Sequence, residues 1–320
     1  MSVMRALVLG CGSIGARHAR NLAALNVDVV VSDPDTDRAN AVALDVGGAV
    51  AASRNDAQVD VTIIATPTIQ HPTDTEWSLD RGYHVFIEKP LAATRIDLAR
   101  VVAAAATVDR VTMVACNLRF SEGYQSLRAN LSRVGKIVSI IADFGWYLPA
   151  WRPLEDYTAA YSARRELGGG VILDAAIHEL DYVMDLAGPV TAVAGLWTAS
   201  ESLGIGVDDA AEIQLRHEGG CISQIHVDYL RRSYTRSCTV VGSEGTLVWN
   251  IAEGRLTVTT ETNKIALAID MLDRDRNAMY MEEMQYFLNT IASGRPVINS
   301  VAQAAATTAV ALDVLERGRP

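Results

Sequence analysis

The chain has 320 residues, 49% of them hydrophobic and 21% charged, with a net charge of −10 at pH 7. That length allows two domains with separate cores, and the acidic balance argues against a general nucleic-acid binder, because nothing would neutralise the phosphates. No apolar run approaches the ~20 residues needed to span a bilayer.

The chain opens MSVMRALVLG, a hydrophobic run that reaches glycine at Gly10 and leaves no room for a secretory signal, so a cytoplasmic protein is expected. Cys11, Cys116, Cys221 and Cys238 lie far apart and form no C-x-x-C, which reads as buried reduced thiols rather than a zinc or disulfide framework.

VMRALVLG reads as a short strand, SIGARHARNLAAL as a helix with Ile14, His18, Leu22 and Leu25 on one face, VDVVVSD as a strand and TDRANAVALD as a helix. VDVTIIAT, YHVFIE and VTMVAC continue a series of runs too apolar to be half-exposed, which predicts a parallel sheet covered on both faces. After about residue 120 the rhythm changes. A helix near Glu122–Arg133 leads into the β-type run KIVSIIADFGWYLP. Beyond the glycine-led helix, AAEIQLRHEGGCISQIHVDYL and SCTVVGSEGTLVWNIAEGRLTVTT read as antiparallel hairpins. Two helices, each ending at glycine, close the chain. The fold class is α/β: a Rossmann-type doubly wound domain over residues 1–120, then an α+β domain over 121–320 built on a mostly antiparallel open sheet.

GCGSIG places Gly10, Gly12 and Gly15 in G-x-G-x-x-G between the first strand and first helix, with Ser13 and Ile14 at the helix N-terminus that would face a pyrophosphate. Asp33 ends the second strand, where a carboxylate would bind both ribose hydroxyls and repel a 2′-phosphate, favouring NAD over NADP. Ala65, Thr66, Pro67 and His71 follow the third buried strand, at the carboxyl edge where such sheets bind ligands, although turn chemistry alone would also explain Thr66-Pro67. Glu88, Lys89 and Pro90 end the next, and Pro90 restricts Lys89 to an extended conformation aimed toward the glycine-loop crevice. Further on, GGGVILDAAIHELDYV spaces Asp174, His178 and Asp181 four and three residues apart, on one face of a helix. A metal site, an acid/base relay and a solvated face are all compatible with that stripe.

Together, GCGSIG, ATP with its following histidine, EKP and GGGVILDAAIHELD resemble the glucose–fructose oxidoreductase / inositol dehydrogenase / MocA family along essentially the whole chain. The resemblance implies a two-domain NAD(P)-dependent oxidoreductase acting on sugars, cyclitols or their derivatives. It implies Lys89, Asp174 and His178 as catalytic and substrate-contacting residues, Asp174 and His178 projecting into an interdomain crevice opposite Lys89. It adds Asn117 near the cofactor and Arg119 near the substrate, and homodimers or homotetramers formed through the open sheet. YLPAWRPLEDYTAAYSARRELGGG is similar to a subgroup associated with bacterial cell-surface or modified-sugar metabolism.

On this reading His178 is the general base, Lys89 steadies the reacting oxygen, and Asp174 orients substrate or modulates the histidine; no metal is required. Asp181 takes either a supporting or a helix-surface place. Trp151 would stack on a sugar ring and Arg152 clamp a polar group, or the tryptophans would fill a core. Arg164 and Arg165 fall on a solvated loop. His18, His84, His217 and His226 read as structural, none lying beside another chemistry-bearing residue. Two further classes share the resemblance: a glycosidase using NAD transiently, and a nicotinamide-responsive regulator.

Overall fold

Apolar runs that cannot tolerate water on either side dictate the first half of the molecule. In the structure, a computed structural model that describes residues 3–268 and 277–318, six strands pair in parallel. They are β1 (Arg5–Leu9), β2 (Asp28–Ser32), β3 (Ala49–Val50), β4 (Val61–Ile64), β5 (His84–Ile87) and β6 (Thr112–Val114), in the order β3-β2-β1-β4-β5-β6. The strand order reverses between β1 and β4, the place where open α/β sheets bind ligands. Ala6–Leu9 and Val61–Ile64 are buried at every position, as a sheet covered on both faces requires. The connecting helices are α1 (Ser13–Ala24), α2 (Thr36–Val46), α3 (His71–Asp80) and α4 (Arg95–Ala106).

The chain forms two compact units, residues 1–116 with 280–306 and residues 117–279 with 307–320. This corrects the expectation of a single uninterrupted second domain from 121 to 320. The excursion has a packing cause. Phe287 of the penultimate helix meets Phe86 edge-on at 5.4 Å between ring centroids, Glu283 accepts a hydrogen bond from the Cys116 backbone, and Asn299 donates to the Val114 carbonyl.

In the second unit α5 (Glu122–Asn130) leads to β7 (Ile137–Gly145), and α6 (Ile177–Ala187) precedes β8 (Val190–Thr198), β9 (Ala210–His217), β10 (Ile222–Asp228), β11 (Thr235–Gly242), β12 (Gly245–Asn250), β13 (Arg255–Thr260) and β14 (Lys264–Ala268). These strands form one sheet in the order β14-β13-β12-β11-β7-β10-β9-β8. The hairpins fall where the turn residues put them, but the whole is not a simple meander: β7 inserts between β11 and β10 and runs parallel to β10. α7 (Ala278–Ser293) and α8 (Val301–Arg317) are the two closing helices, and no helix among the described residues is long and apolar enough to cross a membrane.

On the open side of this sheet His226 bonds both Glu212 on β9 (2.6 Å) and Asp228 on its own strand (2.9 Å). The Asp228 hydrogen bond, opposed by partial burial and reinforced by Glu212, raises its pKa from 6.5 to about 9. The folded chain therefore holds this proton more tightly than the unfolded chain. The resulting stabilisation is complete below pH 6.5 and is lost as pH rises through about 9. Urea-unfolding stability should fall across that window and fall less in His226→Gln; identical slopes in both proteins would contradict the assignment.

Candidate active site

Backbone sterics shape the turn after β1. Gly10 has φ +87°, and a Cβ on it would lie 2.6 Å from the Ala65 carbonyl oxygen. A Cβ on Gly15 would lie 1.9 Å from the Gly10 carbonyl oxygen, so α1 starts in direct contact with the turn. Gly12, the residue before α1, supplies no side-chain cap, and a Cβ there would meet nothing within 4 Å. The first-turn amides of α1, with Ser13 exposed and Ile14 half-buried, thus start beside open space. Asp33, at the end of β2, accepts hydrogen bonds from the backbone amides of Cys11 (2.7 Å) and Asp35 (2.8 Å), which ties the candidate ribose-binding carboxylate to the glycine turn itself. An uncapped helix start with room for an anion, and a carboxylate fixed one strand away, fit a dinucleotide. Because the Gly12 backbone suits any L-residue, Gly12→Ala should leave the melting temperature of the cofactor-free protein unchanged while weakening NAD binding at least about tenfold. Calorimetric titration showing equal NAD affinity in both proteins would remove Gly12 from the cofactor site.

The next two loops are fastened to each other. Thr66 donates to Asp74 at 2.7 Å, and Asp74 is also held by Arg54; Ala65 and Pro67 on either side are half-buried. His71 lies between the carbonyl oxygens of Thr66 and Pro90, 2.9 Å from each. Burial lowers its pKa despite those carbonyls, and a neutral ring carries one N–H, so it donates to one of the two at a time. Glu88 is buried, receives His18 Nε2 at 2.7 Å and accepts from the Lys89 amide at 3.2 Å. Burial raises the Glu88 pKa, but the hydrogen bond and charge of His18, with help from Lys89, bring the net direction down. Both His71 and Glu88 bury polar atoms inside the protein and brace the loops that carry Thr66 and Lys89. His18, read as standing apart from chemistry, is the partner of Glu88. Lys89 itself is half-buried at the carboxyl end of β5.

In the second unit the three glycines pack against their own surroundings. A Cβ on Gly169 would lie 2.1 Å from the Tyr161 carbonyl oxygen, and one on Gly170 2.3 Å from Asp208 Oδ1. Asp208 also accepts from the Ile172 amide at 2.8 Å, anchoring a π-helical turn over Ile172–Ala176 that runs straight into α6. Asp174 sits in that turn and His178 in the first turn of α6, so the four-residue interval does not follow a regular α-helix as expected; π turns recur at functional sites. Asp174 is buried, and its Oδ2 accepts hydrogen bonds from Ser162 (2.5 Å) and Tyr229 (3.1 Å); His178 is half-buried.

Two buried ion pairs pin α6. Arg236 donates to Glu179 at 2.7 Å, and Arg119 grips both oxygens of Asp181 at 2.7 Å while donating to Asp185 at 2.8 Å. Burial raises the Asp181 pKa and Arg119 opposes it, the net direction being up. Asp181 thus belongs to the helix anchor rather than to a solvated face, and the described residues contain no cluster of three or more His, Cys, Asp or Glu placed to hold a metal ion. The guanidinium of Arg119, expected near the substrate, is engaged by these carboxylates. Asn117, expected near the cofactor, is buried with its amide on the Met279 sulfur at 3.6 Å. Trp151 packs against Trp146 at 5.4 Å between centroids with the rings tilted 30°, and meets Tyr229 edge-on at 5.3 Å, while Arg152 is exposed and pairs with Glu155. Arg164 pairs with Glu166, and Arg165 donates to the Gly206 carbonyl, both on an exposed loop as expected. Ser162, Tyr229, Asp208 and Arg236 escape sequence reasoning, because each meets the site at least 12 positions away along the chain with no local pattern to flag it.

Comparison with known proteins gives the class. Residues 4–116 match the family described as "Oxidoreductase family, NAD-binding Rossmann fold", and residues 124–248 match the "GFO/IDH/MocA C-terminal domain". The chain belongs to the GFO/IDH/MocA family and is an NAD-binding oxidoreductase. A myo-inositol 2-dehydrogenase from Thermotoga maritima is 27% identical, over 92% of this chain and 90% of that protein. A UDP-N-acetylglucosamine 3-dehydrogenase from Acidithiobacillus ferrooxidans is 26% identical over 92% and 90%, and a solved structure of that enzyme shares the fold with a TM-score of 0.84. A levoglucosan dehydrogenase solved with NADH shares the fold over 99% of this chain and 97% of its own, with a TM-score of 0.88 at 19% identity.

Proposed function

We propose that the protein oxidises a ring secondary alcohol of a sugar or cyclitol, or runs the matching ketone reduction, with Lys89, Asp174 and His178 as its catalytic residues. The observation that carries the reading is the uncapped start of α1 at Gly12, with open space beside it and Asp33 fastened to the same turn. Gly10, Gly12, Ser13, Ile14, Gly15 and Asp33 would hold the dinucleotide, and Ala65, Thr66, Pro67 and Pro90 would border it. NAD supplies the hydride acceptor. Lys89 donates a hydrogen bond to the reacting oxygen and offsets its developing negative charge. His178 takes the hydroxyl proton in oxidation and returns it in reduction, a task for which histidine is the commonest side chain. Asp174 accepts a substrate hydroxyl, and Trp151 offers an aromatic face for a sugar ring.

Myo-inositol 2-dehydrogenase and UDP-N-acetylglucosamine 3-dehydrogenase, named above, support a polyhydroxylated ring as the substrate class. A screen of inositols, sugars, sugar acids and nucleotide-linked sugars with NAD, and separately NADP, tests it. NADH should form with at least one ring alcohol, more readily than NADPH, and formation should disappear in Lys89→Ala. Silence across the panel from protein that binds NAD would overturn the reading.

The open face of the second unit's sheet is our choice for self-association into a homodimer or homotetramer. Leu196, Ile222 and Ile141 on this face are 68%, 52% and 47% exposed, a stretch of apolar surface that favours covering. Light scattering that shows a monomer at working concentration would reject it. A cytoplasmic setting suits four buried cysteines of which none is in a disulfide.

A further inference from the structure

We infer that Ser162 and Tyr229 are positioning residues that clamp the Asp174 carboxylate in its ionised form, making Asp174 a fixed acceptor for a substrate hydroxyl while proton transfer falls to His178. The inference rests on the dehydrogenase reading above and assigns a division of labour within it. Both hydroxyls address the same oxygen, Oδ2, from opposite parts of the second unit: Ser162 at 2.5 Å from a short turn, Tyr229 at 3.1 Å from the end of β10. Each donor is itself immobile. The Ser162 carbonyl accepts the Gly170 amide at 3.0 Å, which fixes that turn against the glycine segment entering the π turn. Tyr229 is fully buried, its amide bonded to the Asp209 carbonyl at 2.8 Å and its carbonyl to the Leu148 amide at 2.9 Å.

Chemistry follows from the donor count. A proton on Oδ2 would have to displace one of the two hydroxyls, and a proton on Oδ1 would weaken both bonds by removing the charge they are donated to. Hydrogen bonds donated to a carboxylate favour its charged form, and bonds to an ionised acceptor are the strong ones. Burial pushes the Tyr229 phenol well above its ordinary pKa, a direction reinforced by the nearby Asp174, Asp208 and Tyr161, so it keeps its proton and remains a donor throughout. During oxidation the hydroxyl proton would go to the His178 imidazole, while bound NAD would supply the hydride acceptor. Asp174 begins and ends the turnover as an anion.

The test is a carboxyl 13C NMR titration of the whole protein labelled at aspartate, with the Asp174 resonance assigned by its loss in Asp174→Asn. Tyr229→Phe and Ser162→Ala should each raise the proton affinity of Asp174 by about tenfold or more, the effect of one lost hydrogen bond to a charged acceptor. NAD affinity should be unchanged in both variants. A titration midpoint that stays put in Ser162→Ala, which removes one small buried hydroxyl, overturns the clamp even if Tyr229→Phe folds poorly. The titration needs no substrate. If the unaltered protein forms no NADH with any ring alcohol while the midpoints still move, the dehydrogenase reading falls and the clamp on Asp174 stands.

Discussion

His178→Ala should lower kcat by about 10²–10⁴-fold, the range that general acid–base catalysis supplies, with NAD affinity unchanged. Position, not only residue type, underlies the expectation. The histidine lies in the first turn of α6, and its neighbours at Glu179 and Asp181 are locked by Arg236 and Arg119, so the helix cannot roll to present another side chain. The lost proton acceptor can be partly replaced from solution. Turnover of the variant should therefore climb with pH where that of the unaltered protein levels off, and added imidazole should restore part of it. A variant with full turnover would remove His178 from the mechanism, and one that also loses NAD affinity would show damage beyond the missing base.

Arg236→Met should destabilise the protein by about 3–5 kcal/mol, the usual consequence of leaving one member of a buried ion pair without its partner. The side chain of Glu179 is 0% exposed and that of Arg236 13%, and the guanidinium also lies over the Phe144 ring at 5.1 Å. Removing the cation takes its charge partner from a carboxylate buried in the core. Removing both charges does not, so Arg236→Met combined with Glu179→Leu should recover most of the loss, since buried pairs replaced by packed apolar groups are often neutral. Equilibrium urea unfolding of the two variants decides the matter. A single variant as stable as the original would show that the pair does not anchor α6, and a double variant no better than the single would place the loss in packing rather than charge.

Much of the fold is legible in the residue pattern because burial leaves a plain trace. Strands covered on both faces, such as Ala6–Leu9, read as apolar runs, and half-exposed ones, such as Ala210–His217, alternate. Turn residues such as Gly219-Gly220 and the Ser243–Gly245 segment mark hairpins. The insertion of β7 between β10 and β11 and the return of residues 280–306 to the first unit are not legible. Both depend on which apolar surfaces meet over long separations, as when Phe287 finds Phe86.

The site divides along the same line. Glycine spacing and the position of Asp33 announce a dinucleotide loop because backbone sterics permit few alternatives. The supports escape notice, since Ser162, Tyr229 and Arg236 look like any serine, tyrosine or arginine until the fold brings them to Asp174 and Glu179. The same holds for the grip of Arg119 on Asp181 and Asp185 and for His71 tying two loops together, which no local pattern announces.

The central claim is that this chain moves hydride from a ring carbinol carbon to nicotinamide. Its most direct test is isotope transfer: NAD with inositols and sugars deuterated at their carbinol carbons, followed by mass spectrometry of the recovered cofactor. Deuterium on the nicotinamide in the presence of the unaltered protein, and none with Lys89→Ala, is the predicted result. Recovered NAD free of label across the whole panel, from protein that binds it, would contradict the account.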